Sequence, residues 1–597
     1  MADELRIAAP FRMWAQRSPV AGRLPGASFL ENQQGLYYSD VLMVVDLILG
    51  AEAQGVRVRL ATEPLWVRDG ILSTSPDFSA IGGLIEEPPI TAAYSLGEGS
   101  SQARSFAFSF MPMPDFDLPT MIANGLIPHG IAEVSLQYRR FNGIYSPYTE
   151  RMIVCRGVVS GMTFGGRYPG KAQTGDRLTR GVEVVNFEVV DPRDIVQTWI
   201  PPYIVDGDGG RFAMPHPSAV GQRLPLIYNG FNNIPAVRVT RNISIIVSGT
   251  SNNTFVFAVG TGYAVDTAAL TSGVRVNGMR KGAGDTVYAW TQTTITDSQG
   301  IVYSCIEFDT DSAPPGQFDD WKDGDSVQVT VTRPGVASQL SLTQIINDIC
   351  VRYTNIGAQG INHRLFAEAE AKLSQGIGNP QVLVNGSDSG SAANALDFIE
   401  TGLLSSYPMV SMVWEEGSYG PIVTDFRGTP TAKLVAGAVP LLDRVSDVQT
   451  SSVSDLANAF IIRYAYDALL DAYSGIVIRD RTNSDVCAYS ETIIGRRDHE
   501  PIESPYIQDA TTANYVADWL VAHKAIPSYL IEYEALPVAF FNLRRGDTVL
   551  LTDDEFSWTE QRATIEAIEY RRGYCKLTLR VWARFLDLGG SARSYGG

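Results

Sequence analysis

Gly165-Gly166-Arg167-Tyr168-Pro169-Gly170-Lys171-Ala172 has the G-x-x-x-x-G-K spacing of a phosphate-binding loop. Such a loop works because it opens a helix, whose aligned N–H groups cradle phosphate, and because a following Ser or Thr ligates magnesium. Here Ala172 stands where the hydroxyl is needed, and Gln173-Thr174-Gly175-Asp176 is turn-forming and leads into a strand. The sequence therefore predicts an exposed β-connection and no nucleotide cofactor. Glu307, Asp309, Asp311, Asp319, Asp320, Asp323 and Asp325, with Asp206 and Asp208 elsewhere, could gather oxygens for calcium. Neither group has the ordered loop ending in Glu that specific calcium binding uses, so they read as solvated turn charges.

Hydrolytic arrangements fare no better. His499-Glu500 is followed by Pro501, with no histidine four positions after the first, so it is not a zinc-binding helix. In Gly386-Ser387-Asp388-Ser389-Gly390 the central place of a nucleophile elbow is held by Asp388. Glu415 and Glu416 would point to opposite faces of a strand, and Asp553-Asp554-Glu555 falls in an expected turn, so neither forms a facing carboxylate pair. No catalytic, cofactor-binding or metal-binding residue is assigned, and the chain is not expected to be an enzyme.

The elements that would position any site are mostly strands. Val44–Leu49 and Val56–Leu60 flank a turn-like Ala51–Gly55 and predict a hairpin. Ser105–Phe110 alternates aromatic and small residues with period two, and Met152–Val159 and Gly181–Val190 continue the β pattern. From about 223 to 335 the text is rich in Thr, Val, Asn and Gly, which predicts a separate small sandwich or barrel. Helices follow. Ser341 can cap one whose stripe is Leu342, Ile345, Ile346, Ile349 and Tyr353. Arg364–Ser374, Asn394–Leu404 and Thr512–His523 are further helices, and Tyr407–Val413, Phe460–Tyr466 and the segments after Val549 return to β. Tyr138, Phe141, Tyr145 and Tyr148 surround Asn142-Gly143, a hairpin-turn signal, and predict an exposed hairpin or interface loop. No repeat of solenoid or propeller period is present.

Composition bounds the function class. The 597 residues are 45% hydrophobic and 19% charged, which suits packed cores, and 47 basic against 65 acidic residues give a net charge of −18. That balance disfavours broad gripping of nucleic-acid phosphates but permits DNA to slide past an acidic wall. Five scattered cysteines without C-x-x-C spacing argue against a disulfide scaffold or structural zinc, and the start lacks a secretory layout. The apolar run Val41–Leu49 is too short to span a bilayer. A soluble protein made in a reducing cytoplasm is expected.

Several runs carry more than pattern. Val435–Val445 (VAGAVPLLDRV), Ser454–Tyr464 (SDLANAFIIRY), Asn542–Asp553 (NLRRGDTVLLTD), Trp558-Thr559-Glu560 and Leu577–Trp582 (LTLRVW) resemble the tail hub, or baseplate hub, proteins of tailed bacteriophages. Met152–Gly161 (MIVCRGVVSG) and Asn186–Asp191 (NFEVVD) are similar to the first barrel of such hubs, and Pro225–Gly230 is of the same kind. The resemblance implies a mainly β, multidomain chain with some α: tail-tube-like β-barrels, a β-sandwich-like insertion and short helical segments. It divides the chain into an arm (1–35), a tube-like barrel (36–205), a sandwich-like domain (206–336), a mixed α/β domain (337–433) and a β-rich hub domain (434–597). It further implies a homotrimer at the tail tip, two similar barrels per chain continuing a sixfold tube. Its partners would be the tail tube or distal tail protein and a spike or fibre protein, with DNA met only in passage through the channel. No catalytic residue carries over. Two other readings stay open: a tail-tip binder whose 223–335 sandwich contacts saccharide, and a tail-associated cell-wall hydrolase.

Overall fold

A computed structural model of the chain describes the strands of residues 41–200, without most of the segments between them, and most of residues 203–582. The longest breaks in the latter part are 206–218, 261–272, 282–289, 309–325 and 385–392. The protein is mainly β with a few short helices, as its alternating strand patterns require.

The first sheet is built from β1 (Val41–Leu49), β2 (Val56–Ala61), β3 (Leu65–Val67), β4 (Phe78–Gly82), β6 (Ser105–Phe110), β7 (Ile131–Tyr138), β8 (Met152–Tyr168) and β9 (Val182–Val190). Its order is β3-β4-β2-β1-β7-β8-β9-β6. The predicted hairpin is present, with Val44 opposite Ala61 and Leu49 opposite Val56. β5 (Ile90–Ala93) leaves this sheet for another. At 17 residues β8 is long enough to pair β7 with its first half and β9 with its second, and bulges at Val159/Gly161 and Phe164/Gly166 adjust its twist. Gly165–Tyr168 are thus strand, while Pro169–Ala172 lie outside the described residues. On the edge strand β6 the period-two pattern turns Phe106 and Phe108 inward, Phe108 stacking on Phe187 at 5.3 Å.

β10 (Leu226–Tyr228) turns directly into β11 (Phe231–Pro235) through Asn229 and Gly230, both with left-handed backbone (φ 59° and 82°). A Cβ on Gly230 would stand 2.6 Å from the Val331 carbonyl oxygen. Gly230→Ala should therefore lower stability by about 1–3 kcal/mol, read as a lower melting temperature. β11 joins β14 (Val274–Val276), β15 (Met279–Lys281) and β18 (Val327–Val331) in the order β11-β18-β14-β15. A second sheet, β12-β13-β17-β16, is formed by β12 (Val237–Arg238), β13 (Phe255–Gly260), β16 (Trp290–Thr296) and β17 (Val302–Phe308). Phe231, Val276 and Val329 of one sheet meet Phe257, Ile306 and Phe308 of the other, so this region is a sandwich.

The helical segment centres on α1 (Leu342–Tyr353), entered through a full capping box: Ser341 Oγ accepts from the Gln344 N–H, and the Gln344 side chain accepts from the Ser341 N–H. Its predicted stripe is buried with α2 (His363–Leu373), a helical stretch over 395–406 and the hairpin β19 (Val410–Glu415)–β20 (Ser418–Val423).

The last part holds β21 (Ala432–Val435), β22 (Leu441–Arg444), β23 (Phe460–Asp467), β24 (Ala472–Arg479), α3 (Asp485–Ile494), β25 (Ile502–Glu503) and α4 (Ala510–Lys524). It closes with β26 (Ser528–Ala535), β27 (Thr548–Asp553), β28 (Trp558–Arg571) and β29 (Tyr574–Trp582). A second large sheet runs β21-β27-β28-β29-β26-β22, with β5 added on β28. Five spacings of about 4.8 Å would hold the edges of a flat sheet about 24 Å apart. Edge strands β21 and β22 are joined by residues 436–440 alone, which reach at most about 20 Å. The sheet must therefore curl back towards itself, and the Ala438–Leu441 bridge sits in that closing link. Among the described residues no helix is long and apolar enough to cross a membrane.

Candidate functional site

Among the described residues, those singled out for chemistry do not converge. Glu307 lies in β17, while Asp206, Asp208, Asp309, Asp311, Asp319, Asp320, Asp323, Asp325 and the 386–390 segment fall outside the described residues. So do Phe141, Tyr145, Tyr148 and Glu416. His499 is half-buried, its ring 5.6 Å from that of Phe460 and its Nδ1 2.6 Å from the Glu500 carbonyl oxygen. Asp553 accepts the Tyr533 hydroxyl at 2.5 Å and the Glu555 N–H at 2.9 Å, and Glu555 pairs with Arg444 at 3.0 Å. These acids brace a turn, as the sequence predicted for that run. No group of three or more His, Cys, Asp or Glu among the described residues could hold a metal ion.

What the fold does bring together is surface against surface. One continuous apolar cluster takes Met43, Val45, Phe108, Val134 and Phe187 from the first sheet and Ile531, Val549, Ile565, Leu577 and Leu579 from the curled one. β5, from the first third of the chain, hydrogen-bonds along β28 from Ile90–Tyr570 to Ala93–Ala567. The two large sheets, one from each end of the sequence, are thereby locked into a single body. The first sheet is also covered on its far face. Asp46, Glu133, Ser135 and Arg156 are buried there, Arg156 Nε donating to Glu133 at 2.5 Å, and Val158 packs with Ile200 and Leu226. Charges taken out of water this far demand partners, and the cross-strand register supplies one for Glu133 by placing Arg156 opposite it.

A second seam joins the curled sheet to the helical segment. Before β27, Arg545 Nη2 donates to Glu415 Oε2 at 2.6 Å and to the Trp414 carbonyl at 3.3 Å, with the guanidinium almost wholly buried. Its neighbour Arg544 reaches Glu368 of α2 at 3.1 Å. On the other side of the hairpin, Thr548 Oγ1 donates to the Asp425 carbonyl at 3.1 Å and Trp519 Nε1 to the Thr424 carbonyl at 2.7 Å. Burial works to raise the Asp425 carboxyl, but the two-pronged contact with Arg427 outweighs it and holds the group below the usual carboxylate range.

His523 closes this seam, stacked on Trp519 at 4.1 Å and edge-on to Trp582 at 4.8 Å. Burial lowers its imidazole pKa to about 3, against the opposing pull of Asp425. The folded value lies below the unfolded one of about 6.5, so the unfolded chain takes up the proton first. The stabilisation is complete above that value and is lost as pH falls towards the folded pKa. Between pH 6.5 and 5 wild type should lose about 2 kcal/mol more than His523→Phe, measured as melting temperature against pH.

The Arg545–Glu415 pair, 130 residues apart in sequence, has no local signal that reading the sequence could have used. His523 reads in sequence as the last residue of the predicted Thr512–His523 helix and as one of five dispersed histidines, with no signal of its burial between two tryptophans.

No protein-family profile matches the chain, and no curated protein matches it in sequence. Among solved structures it is similar to a tail protein from Neisseria meningitidis MC58, at 10% identity and TM-score 0.34, covering 91% of this chain and 96% of that one. It is similar also to the 43 kDa tail protein of prophage MuSo2 from Shewanella oneidensis (10% identity, TM-score 0.33, covering 90% and 97%). A prophage tail protein from Listeria monocytogenes EGD-e follows at 11% identity and TM-score 0.23, covering 59% and 89%. Likenesses at these TM-scores do not establish a shared fold.

Proposed function

We propose that the chain is a structural, non-enzymatic subunit of a phage tail: a ring-forming hub at the tail tip that links the tail tube to the distal spike or fibres. The observation that carries this reading is the pairing of two large sheets, one from each end of the sequence, in a single apolar cluster bridged by β5 and β28. A trimer of such chains presents six large sheets, the number needed to continue a sixfold tube, and a closed ring removes exposed sheet edges. The runs that resemble phage hubs map onto these elements: Met152–Gly161 and Asn186–Val190 onto β8 and β9, Asn542–Asp553 onto β27 and its approach, Leu577–Trp582 onto β29. In this role some of the acidic excess behind the −18 charge lines the central channel, where it keeps DNA phosphates from sticking during passage.

Gold-labelled antibody against the chain, applied to virions that carry it, should mark the end of the tail away from the head. Labelling of the head, or along the whole tube, would refute the hub placement.

A further inference from the structure

We propose that an open cleft beside the β23–β24 hairpin binds a neutral saccharide. This goes beyond the tail-subunit reading and does not depend on it. The cleft has a volume of about 730 Å³ and is lined by Arg463, Tyr466, Asp471, Tyr473, Glu503 and Pro505, with Ala472. Its walls are set by register. Tyr466 stands opposite Tyr473 across β23 and β24, their rings 5.1 Å apart and tilted 49°, while Arg463 stands opposite Glu503 across β23 and β25.

The polar groups are fixed before any ligand arrives. Asp471 sits in the hairpin turn with left-handed backbone (φ 48°), a conformation Asp tolerates, and accepts the Tyr466 hydroxyl at 2.8 Å. That hydrogen bond pushes the Tyr466 phenol up to about 12 and holds its ring in place. Arg463 Nη1 donates to Glu503 at 2.5 Å, yet both side chains remain close to half exposed (46% and 47%), leaving lone pairs and N–H groups open to the cleft.

A ligand for this surface must offer apolar faces to two phenol rings and, at the same time, hydroxyl donors to two carboxylates and an acceptor to a guanidinium. A pyranose does all three: its C–H faces lie against aromatic rings and its hydroxyls both donate and accept. A sugar acid would meet two carboxylates against one arginine. A proline-rich peptide would use the rings but bring no N–H to Asp471 and Glu503, leaving them without donors.

The test is saturation-transfer NMR of the full chain with cellobiose, maltose, chitobiose and, as the acidic control, glucuronic acid. At least one neutral disaccharide should receive saturation and glucuronic acid should not. Tyr473→Ala and Glu503→Gln should each weaken binding of that sugar about tenfold or more, whereas Tyr473→Phe, which keeps the ring, should bind within about twofold of wild type. Melting curves of each variant separate loss of the site from loss of the fold, and Glu503→Gln decides the matter if Tyr473→Ala unfolds. The proposal is overturned if no neutral disaccharide receives saturation, if Glu503→Gln binds like wild type, or if a decaproline peptide displaces the sugar and binds more tightly.

Discussion

Arg545→Ala should destabilise the seam between the curled sheet and the helical segment by about 3–5 kcal/mol, the usual effect of removing one member of a buried ion pair. The guanidinium is almost wholly buried against Glu415, so its loss leaves a carboxylate in a low-dielectric seam without the cation that balances it. The neighbouring substitution Arg544→Ala is the internal control. Its partner Glu368 is half exposed, and a pair screened by water contributes about 1 kcal/mol or less. Urea unfolding of the three proteins, followed by tryptophan fluorescence, gives the comparison. Replacing both members, Arg545→Met with Glu415→Leu, should recover most of the loss, because the cost comes from the surviving charge rather than from the missing bond. Equal effects for Arg544→Ala and Arg545→Ala would show that the pair is not desolvated.

Trp519→Ala should be of similar size, about 3–5 kcal/mol, from lost burial and the cavity left behind. The indole is fully buried, fills the space between α4 and the residues after β20, stacks on His523 and donates to the Thr424 carbonyl at 2.7 Å. Trp519→Phe keeps most of the volume but leaves that carbonyl without its donor, which should cost about 1–3 kcal/mol. Calorimetric melting of both variants checks the order. A Phe variant as damaged as the Ala variant would mean that the hydrogen bond, not the packing, dominates.

Much of the local structure was legible in the sequence. Ser341 and the stripe from Leu342 to Tyr353 specify α1 because cap and periodicity agree, and Ser105–Phe110 specifies a strand because its period is two. The expected β character around Gly165 is seen in Gly165–Tyr168, which are strand. What could not be read was non-local. Nothing in Ile90–Ala93 says that it pairs with β28, more than 470 positions later, because backbone ladders carry no sequence code beyond compatibility with a pleat. The curl of the second sheet follows from the short link at 436–440 only once the strand order is known. The tyrosine cleft has the same origin: Phe460–Tyr466 reads as a strand, but the opposition of Tyr466 to Tyr473 and of Arg463 to Glu503 depends on register.

In the proposed hub, three copies of the chain close a ring, each supplying two large sheets. Native mass spectrometry of the purified chain, with class averages from electron microscopy, tests it most directly. The expected particle is about 195 kDa, three times the 65.0 kDa chain, with threefold symmetry, six peripheral lobes and a central opening. A particle that stays at the mass of one chain at micromolar concentration, or a twofold assembly without an opening, would contradict it.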